Sequence, residues 1–275
     1  MQQMKILIAD ADVKSRQQLT KMISSARPDA LVRFVDTGRT LFKTLQEETF
    51  DMLFLDMVLP STDVSKLKQV IALMQAEKGT RLVLVSEGLR KNWTMIALHL
   101  QANEVLMKPY RDHTVTKFFE TDLQIRRTRQ ALIVHPSVRT RGILRNLLER
   151  SEFHLQVTEA ETGRRAIRHA LQQEFEVAFI SHALADMPAL EAACQLLSQT
   201  SDKISVVLMD REVDKTQRAF EVFGIKDVMI EPFDATDVNV TLHRSLDLWR
   251  PYLVNALADE KKSNRESVKL MQCAA

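Results

Sequence analysis

Asp51-Met52-Leu53-Phe54-Leu55 is the stretch on which the reading of this chain turns. Met52 to Leu55 is an unbroken apolar run of strand length, so both faces of such a strand must be covered, as in a parallel sheet with helices on either side. The pattern returns as Glu176-Val177-Ala178-Phe179-Ile180, with position 176 against position 51, an offset of 125. A second landmark, Lys108-Pro109, returns as Glu231-Pro232 at an offset of 123. Two offsets this close over that span indicate an internal duplication.

Working outward, strand-length runs alternate with helix-period stretches. The first half offers strands at Met4–Ala9, Leu31–Val35, Asp51–Leu55, Arg81–Val85 and Glu104–Met107. Helices are expected at Val13–Ser25, Thr40–Glu48, Ser65–Glu77, Lys91–Leu100 and Asp112–Arg127. The second half offers strands at Gln130–Val134, Leu155–Glu159, Glu176–Ile180, Ile204–Met209 and Asp227–Ile230. Its helices are expected at Val138–Arg150, Arg164–Gln173, Ala189–Gln199, Thr216–Phe223 and Ala235–Leu248. Five strands alternating with five helices, twice over, predict two doubly wound α/β domains.

The length of 275 residues suits two domains. The expected boundaries are 1–129, 130–257 and a polar tail at 258–275. Asp112 to Arg129 reads as one helix ending in Arg126-Arg127-Thr128-Arg129, where basic side chains suit the helix C-terminus better than a nucleic-acid patch. A net charge of +2 gives no global drive toward nucleic acid or an anionic membrane. Cys194 and Cys273 have no metal-ligand spacing, and no apolar run reaches spanning length. A cytoplasmic protein without signal peptide or transmembrane helix is therefore expected.

In a parallel sheet of this kind, chemistry collects where the strand C-termini open. Asp10-Ala11-Asp12 follows the first strand, Asp56 the third, Ser86 the fourth and Lys108-Pro109 the fifth. Alone, each has an ordinary reading: a helix N-cap for the acids, a turn residue for Ser86, a surface charge for Lys108. Together they make a coherent set. Carboxylates can hold a hard cation, Asp56 can act as a nucleophile toward phosphorus, and Ser86 and Lys108 can grip phosphoryl oxygens.

These residues resemble the receiver domain of two-component response regulators. The resemblance rests on the acid after Lys5-Ile6-Leu7-Ile8-Ala9, on Leu55-Asp56-Met57-Val58-Leu59-Pro60, on Ser86, and on Ala102-Asn103-Glu104-Val105-Leu106-Met107-Lys108-Pro109. It implies two flavodoxin-like five-stranded domains in tandem. It implies Asp56 as phosphoacceptor from a histidine kinase or a histidine phosphotransfer protein. Mg²⁺ is implied at Asp10, Asp56 and the backbone carbonyl of Val58, with Ser86 as switch hydroxyl and Lys108 as the phosphoryl-contacting lysine. Three positions depart from the pattern. The family's second acid after the first strand is Ala11, so Asp12 is the candidate replacement and weak Mg²⁺ binding is expected. Val64 stands where the family has glycine. Val105 replaces the usual aromatic switch.

The second copy has His135-Pro136 for Asp10, Ser181 for Asp56, Asp210 for Ser86 and Glu231 for Lys108. It keeps no carboxylate nucleophile and no lysine, so it reads as a degenerate pseudo-receiver. A zinc site from His135, His182, Asp210 and Glu231 is allowed by residue type, but a satisfied turn histidine is the commoner use of His135. Arg139, Arg141, Arg145, Arg150, Arg164, Arg165 and Arg168 lie on helix faces, where solvated charge is the default and RNA binding the minor alternative.

The expected function is a response regulator that accepts a phosphoryl group on itself, without turnover as an enzyme. Its output is expected through contact with a downstream protein or a second copy of the chain, without a DNA-binding domain. The alternative is a phosphorylation-independent scaffold of two pseudo-receivers. Trp93 is expected to be a half-buried packing residue.

Overall fold

The computed structural model describes residues 3–88, 93–199, 204–211 and 222–261. Most of the helix expected at Thr216–Phe223, the start of that expected at Lys91–Leu100, Cys273 and most of the tail lie outside them. The chain divides into two compact units, Met1–Glu120 with Pro251–Ala275, and Thr121–Arg250.

The first unit holds β1 (Lys5–Ala9), β2 (Leu31–Val35), β3 (Met52–Asp56), β4 (Arg81–Ser86) and β5 (Glu104–Met107). All pair in parallel, in the order β2-β1-β3-β4-β5. Between and after them run α1 (Val13–Ala26), α2 (Gly38–Glu47), α3 (Val64–Lys78), α4 (Trp93–His99) and α5 (Asp112–Ile125). The apolar run of β3 is buried throughout, as a strand covered on both faces must be. Behind it Phe54, Phe118 and Phe119 form an aromatic cluster with ring centroids 5.5–6.3 Å apart; each fully buried ring stabilises the fold by roughly 1.5–3 kcal/mol.

The second unit repeats the plan with β6 (Arg129–Val134), β7 (Leu155–Ala160), β8 (Val177–Ser181), β9 (Ser205–Asp210) and β10 (Ile225–Ile230). Its order, β7-β6-β8-β9-β10, is that of the first sheet, again wholly parallel. Its described helices are α6 (Val138–Glu149), α7 (Gly163–Ala170), α8 (Ala189–Gln199) and α9 (Ala235–Ser245). The duplication read from two landmarks therefore holds at the level of the fold. No helix among the described residues is long and apolar enough to cross a membrane.

Two expectations change. The helix expected to reach Arg129 stops at Ile125, and Arg129 is the buried first residue of β6. The basic run is not a solvated helix end: Arg126 pairs with Asp122, and Arg127 and Arg129 both pair with Glu176. At the other end, residues 252–261 are helical, and Leu253 and Leu257 pack into the core of the first unit. Both lie within the expected second domain, 130–257, but belong to the first unit. An apolar pair four residues apart makes one helix stripe, but spacing does not say which core receives it.

The duplicated glycines Gly38 and Gly163 open α2 and α7 behind the N-caps Thr37 and Thr162. A Cβ on Gly38 would sit 2.4 Å from the Ser61 carbonyl oxygen and 2.6 Å from Thr62 Cα; on Gly163 it would meet the flexible Met187 side chain. Gly38→Ala is expected to destabilise by about 1–3 kcal/mol and Gly163→Ala by distinctly less, read from urea unfolding midpoints. Equal costs would show that the Ser61–Thr62 backbone yields as easily as a methionine.

Candidate functional site

Asp10 follows β1 and is almost wholly buried. Its backbone N–H continues the β1–β2 ladder to the Val35 carbonyl, which fixes the start of the turn into α1. Its carboxylate is held from three sides. Oδ1 accepts from the Asp12 N–H at 2.8 Å. Oδ2 accepts from Ser15 Oγ at 2.6 Å and lies 2.7 Å from Lys108 Nζ. With the Ser15 proton given to Asp10, the Tyr110 hydroxyl 3.0 Å away donates to Ser15.

Asp56 is the last residue of β3 rather than the first beyond it. Its Oδ1 accepts from the Val58 N–H at 2.7 Å, and its Oδ2 lies 2.5 Å from Lys108 Nζ. Lys108 is placed by its own N–H, which donates to the Ser86 carbonyl at 2.8 Å; the bond that follows it to Pro109 is cis. One nearly buried ammonium thus bridges the two carboxylates. Burial alone would lower the Lys108 pKa, but the hydrogen bonds and charges of Asp10 and Asp56 outweigh it and raise it above the ordinary lysine value. For Asp10, burial favours the neutral acid, but the donors Lys108, Ser15 and Asp12 N–H prevail and hold its carboxyl below the usual range. Burial pushes the Tyr110 phenol up to about 12, so it stays a donor at neutral pH.

The structure therefore gathers Asp10, Asp56 and Lys108. Ser86 ends the neighbouring strand β4, paired in register with Met107, and its hydroxyl donates to the Gly88 carbonyl at 2.7 Å. Asp12 does not join the pair: its oxygens accept from the Lys14 and Ser15 N–H groups as the N-cap of α1. Val58 meets Asp56 through its backbone N–H, and the residue is 69% exposed. Ser15 and Tyr110 complete the site without having been expected there. A hydroxyl in the first turn of α1, and another two residues beyond the lysine, were the available signals. Arg16 is equally unexpected, and its guanidinium donates to the Asp10 carbonyl at 2.5 Å. Its counterpart Arg141 donates to the His135 carbonyl at 2.6 Å, so this brace survived the duplication.

Would these groups hold a hard cation? Asp10, Asp56 and the Val58 carbonyl are oxygen donors only, and the two carboxylates already share one positive charge. No group of three or more His, Cys, Asp or Glu suited to a metal occurs among the described residues. The donor set fits Mg²⁺, which is commonly held by one or two carboxylates and keeps several waters. It does not fit a cation that needs an all-protein cage.

In the second unit the corresponding groups have a different arrangement. His135 Nδ1 accepts from the Ser137 N–H at 2.9 Å, so Nε2 carries the ring proton and donates to Glu231 Oε1 at 3.2 Å. Ser181 is buried, and its Oγ accepts from the Ala183 N–H. Asp210, in register with Ile230, accepts from the Arg211 N–H. His182 is largely exposed, 3.8 Å from Asp210. Arg141 and Arg145 both pair with Glu159 on β7, and Arg165 pairs with Glu161. Three of the seven arginines, Arg141, Arg145 and Arg165, are thus tied within the unit.

Burial holds the His135 imidazole below its ordinary pKa, with Glu231 offsetting only part of the effect. The unfolded chain then binds the proton first, so this position removes stability as pH falls below about 6.5. His135→Gln is expected to flatten the fall of the urea midpoint between pH 7 and 5 relative to the wild type. An unchanged slope would overturn this.

Against known proteins, residues 6–120 match the model of the response regulator receiver domain. The transcriptional regulatory protein YpdB of Escherichia coli K12 is 28% identical over 113 residues, 41% of this chain and 45% of that protein. Protein MrkE of Klebsiella pneumoniae is 26% identical over 119 residues, 43% of each chain. This chain thus spans less than half the length of the curated relatives it matches. A crystal structure described as a putative two-component system response regulator/GGDEF domain protein superposes with a TM-score of 0.63 at 16% identity, over 89% of this chain and 98% of that one. A second of that kind gives 0.61 at 17% identity over the same shares. These two likenesses show the fold, two receiver-like units in succession.

Proposed function

Because residues 6–120 are a response regulator receiver domain and a second unit repeats its fold, we propose that this protein is a phosphoryl-accepting signalling protein with one working site and one silent copy. The observation that carries the reading is the single ammonium bridging Asp10 and Asp56. A pocket that concentrates two carboxylates and compensates them with a nearly buried lysine is arranged for oxygen chemistry under charge control.

An Asp56 carboxylate oxygen attacks the phosphorus of a phosphohistidine on a kinase or phosphotransfer protein. The new P–O bond forms, the P–N bond breaks, and the imidazole leaves with its electron pair. Asp56 becomes an acyl phosphate. Lys108 supplies positive charge beside it, and Ser86 supplies a hydroxyl at the adjoining strand end. Asp10, braced by Ser15, keeps its charge and its direction. Mg²⁺ held by Asp10, Asp56 and the Val58 carbonyl would neutralise phosphoryl charge when bound. The chain is modified once per cycle and turns over no substrate of its own. We place this chemistry in the cytoplasm, with output through contact with a downstream protein or a second copy. The second unit contributes a rigid surface of the same fold.

The test is incubation of the full chain with radiolabelled acetyl phosphate and Mg²⁺. Stoichiometric, alkali-labile label that disappears when Mg²⁺ is chelated supports the reading; no label at saturating donor overturns it. One observation favours a second reading, a scaffold that is never phosphorylated: Asp12 is committed to its helix as N-cap and brings no second acid to Asp10. In that case Mg²⁺ binding is undetectable in the wild type and appears in Ala11→Asp.

A further inference from the structure

A cavity of about 290 Å³ opens in the second unit at the end of the sheet where its strands begin, opposite the end that carries His135, Ser181, Asp210 and Glu231. Arg129 opens β6, Ser205 opens β9, Glu176 stands just before β8, and Lys226 is the second residue of β10. These four line the cavity together with Arg127 and Asp247. Arg129 is buried, only 4% exposed. Its guanidinium donates to the carbonyls of Gln124 and Arg127 and to the Gln124 side-chain oxygen, and lies 3.4 Å from Glu176 Oε2. Arg127 pairs with the same oxygen at 3.0 Å, and Lys226 pairs with Asp247 at 2.8 Å. Among these lining residues three cations meet two acids, which leaves one positive charge in excess. Burial lowers the Arg129 pKa, and Glu176, working against the like charge of Arg127, does not restore it.

The first copy shows that the fold does not need this charge. Ile6 pairs with Met52 as Ala131 pairs with Val177, so Arg129 stands where the first copy has Met4, buried and apolar. Val83 pairs with Glu104 as Val207 pairs with Asp227, so Lys226 stands where the first copy has Asn103. A guanidinium is far costlier to bury than a thioether. The second copy therefore carries, at this end alone, two cations that its duplicate folds without.

We propose that this cavity binds a small phosphomonoester with a hydroxylated body, of the sugar phosphate class. Arg127, Lys226 and Asp247 are each about half exposed or more, and ion pairs of such side chains contribute little. Arg127 and Lys226 can therefore leave their acids for a phosphate, where the bonds are charge-assisted. Arg129 keeps Glu176. Asp247, once released by Lys226, accepts from hydroxyl groups of the body, and Ser205 adds a hydroxyl of its own. This division explains why the cavity carries both signs of charge. Its volume lies at the small end of small-molecule pockets. The proposal concerns the second unit and stands whether or not Asp56 takes a phosphoryl group.

The full chain is titrated calorimetrically with ribose 5-phosphate, at low ionic strength and without Mg²⁺. Saturable binding with a Kd on the order of 10–100 μM is expected. Inorganic phosphate and ribose are each expected to bind at least about ten-fold more weakly, and Arg127→Gln and Lys226→Asn each to weaken ribose 5-phosphate about ten-fold. Both substituted side chains are exposed enough for the fold to survive their loss. Hydrogen exchange supplies a check that needs no variant: saturating ligand is expected to slow exchange at residues 124–129 and 245–248. No binding at about 10 mM ligand, equal binding of inorganic phosphate, affinity indifferent to both substitutions, or protection confined to other segments overturns the proposal.

Discussion

In Asp56→Asn, label from acetyl phosphate is expected to fall on the order of a hundred-fold or more, while Ser181→Asp in the second unit adds none. The asymmetry follows from what surrounds each position. Asp56 stands beside an ammonium shared with Asp10, so an incoming phosphoryl group meets compensated charge. A carboxylate at position 181 would end β8 in the same place in the fold, but its neighbours are Asp210 and the pair of neutral His135 with Glu231. It would meet acids and no lysine, and transfer to it would be opposed by like charge. The sharper form is a gain of function. Ser181→Asp with His135→Asp and Glu231→Lys restores the acid pair and its cation, and is expected to acquire label where the single substitution does not. Mass spectrometry of borohydride-trapped protein locates the adduct. Label that persists in Asp56→Asn, or appears on Ser181→Asp alone, would show that the lysine-centred charge arrangement is not what selects the acceptor.

Lys108→Met is the second large effect. It removes the cation from two neighbouring carboxylates, one almost fully buried, so a loss of about 2–4 kcal/mol at pH 7 is expected. Its pH dependence separates it from ordinary loss of packing. In the wild type the depressed Asp10 pKa contributes stability that is present above about pH 3.9 and is lost as pH falls through the folded value. The raised Lys108 pKa contributes stability that is present below about pH 10.4 and fades as pH rises through its folded value. Without the ammonium, Asp10 and Asp56 repel each other. Lowering the pH then lets the buried Asp10, whose burial favours the neutral acid once its cation is gone, take up a proton in the folded state, and the variant gains stability. Urea midpoints of wild type and variant should therefore converge toward acid. Asp10→Asn in the Lys108→Met background should recover most of the loss at pH 7. A variant within about 0.5 kcal/mol of wild type with an unchanged pH profile would mean that solvent, not Lys108, compensates these acids.

The strands were legible because their signal is local. Met52 to Leu55 has no polar side chain to set toward water, so any fold must cover both its faces, and the same holds for Val177 to Ile180. The strand-end acids and Lys108 were legible for a related reason: in a parallel sheet the end of a strand fixes where its next side chain lies. Asp12 was not. Whether it ligates or caps depends on the backbone at that residue (φ −80°, ψ 116°) and on which N–H groups turn toward it. Both uses call for the same residue type.

Ser15 and Tyr110 meet across 95 positions, and Glu104 reaches Tyr252 across 148. Neither pairing leaves a trace in spacing. The order of apolar and polar residues along the chain determined that there are two doubly wound sheets and which ends of them carry charge. Tertiary packing alone decided that Lys108 serves both acids, that Asp12 serves its own helix, and that the last described helix returns to the first core. A residue's type and neighbours say which bonds it can make, but only the folded chain sets which distant donors reach it once water has been excluded.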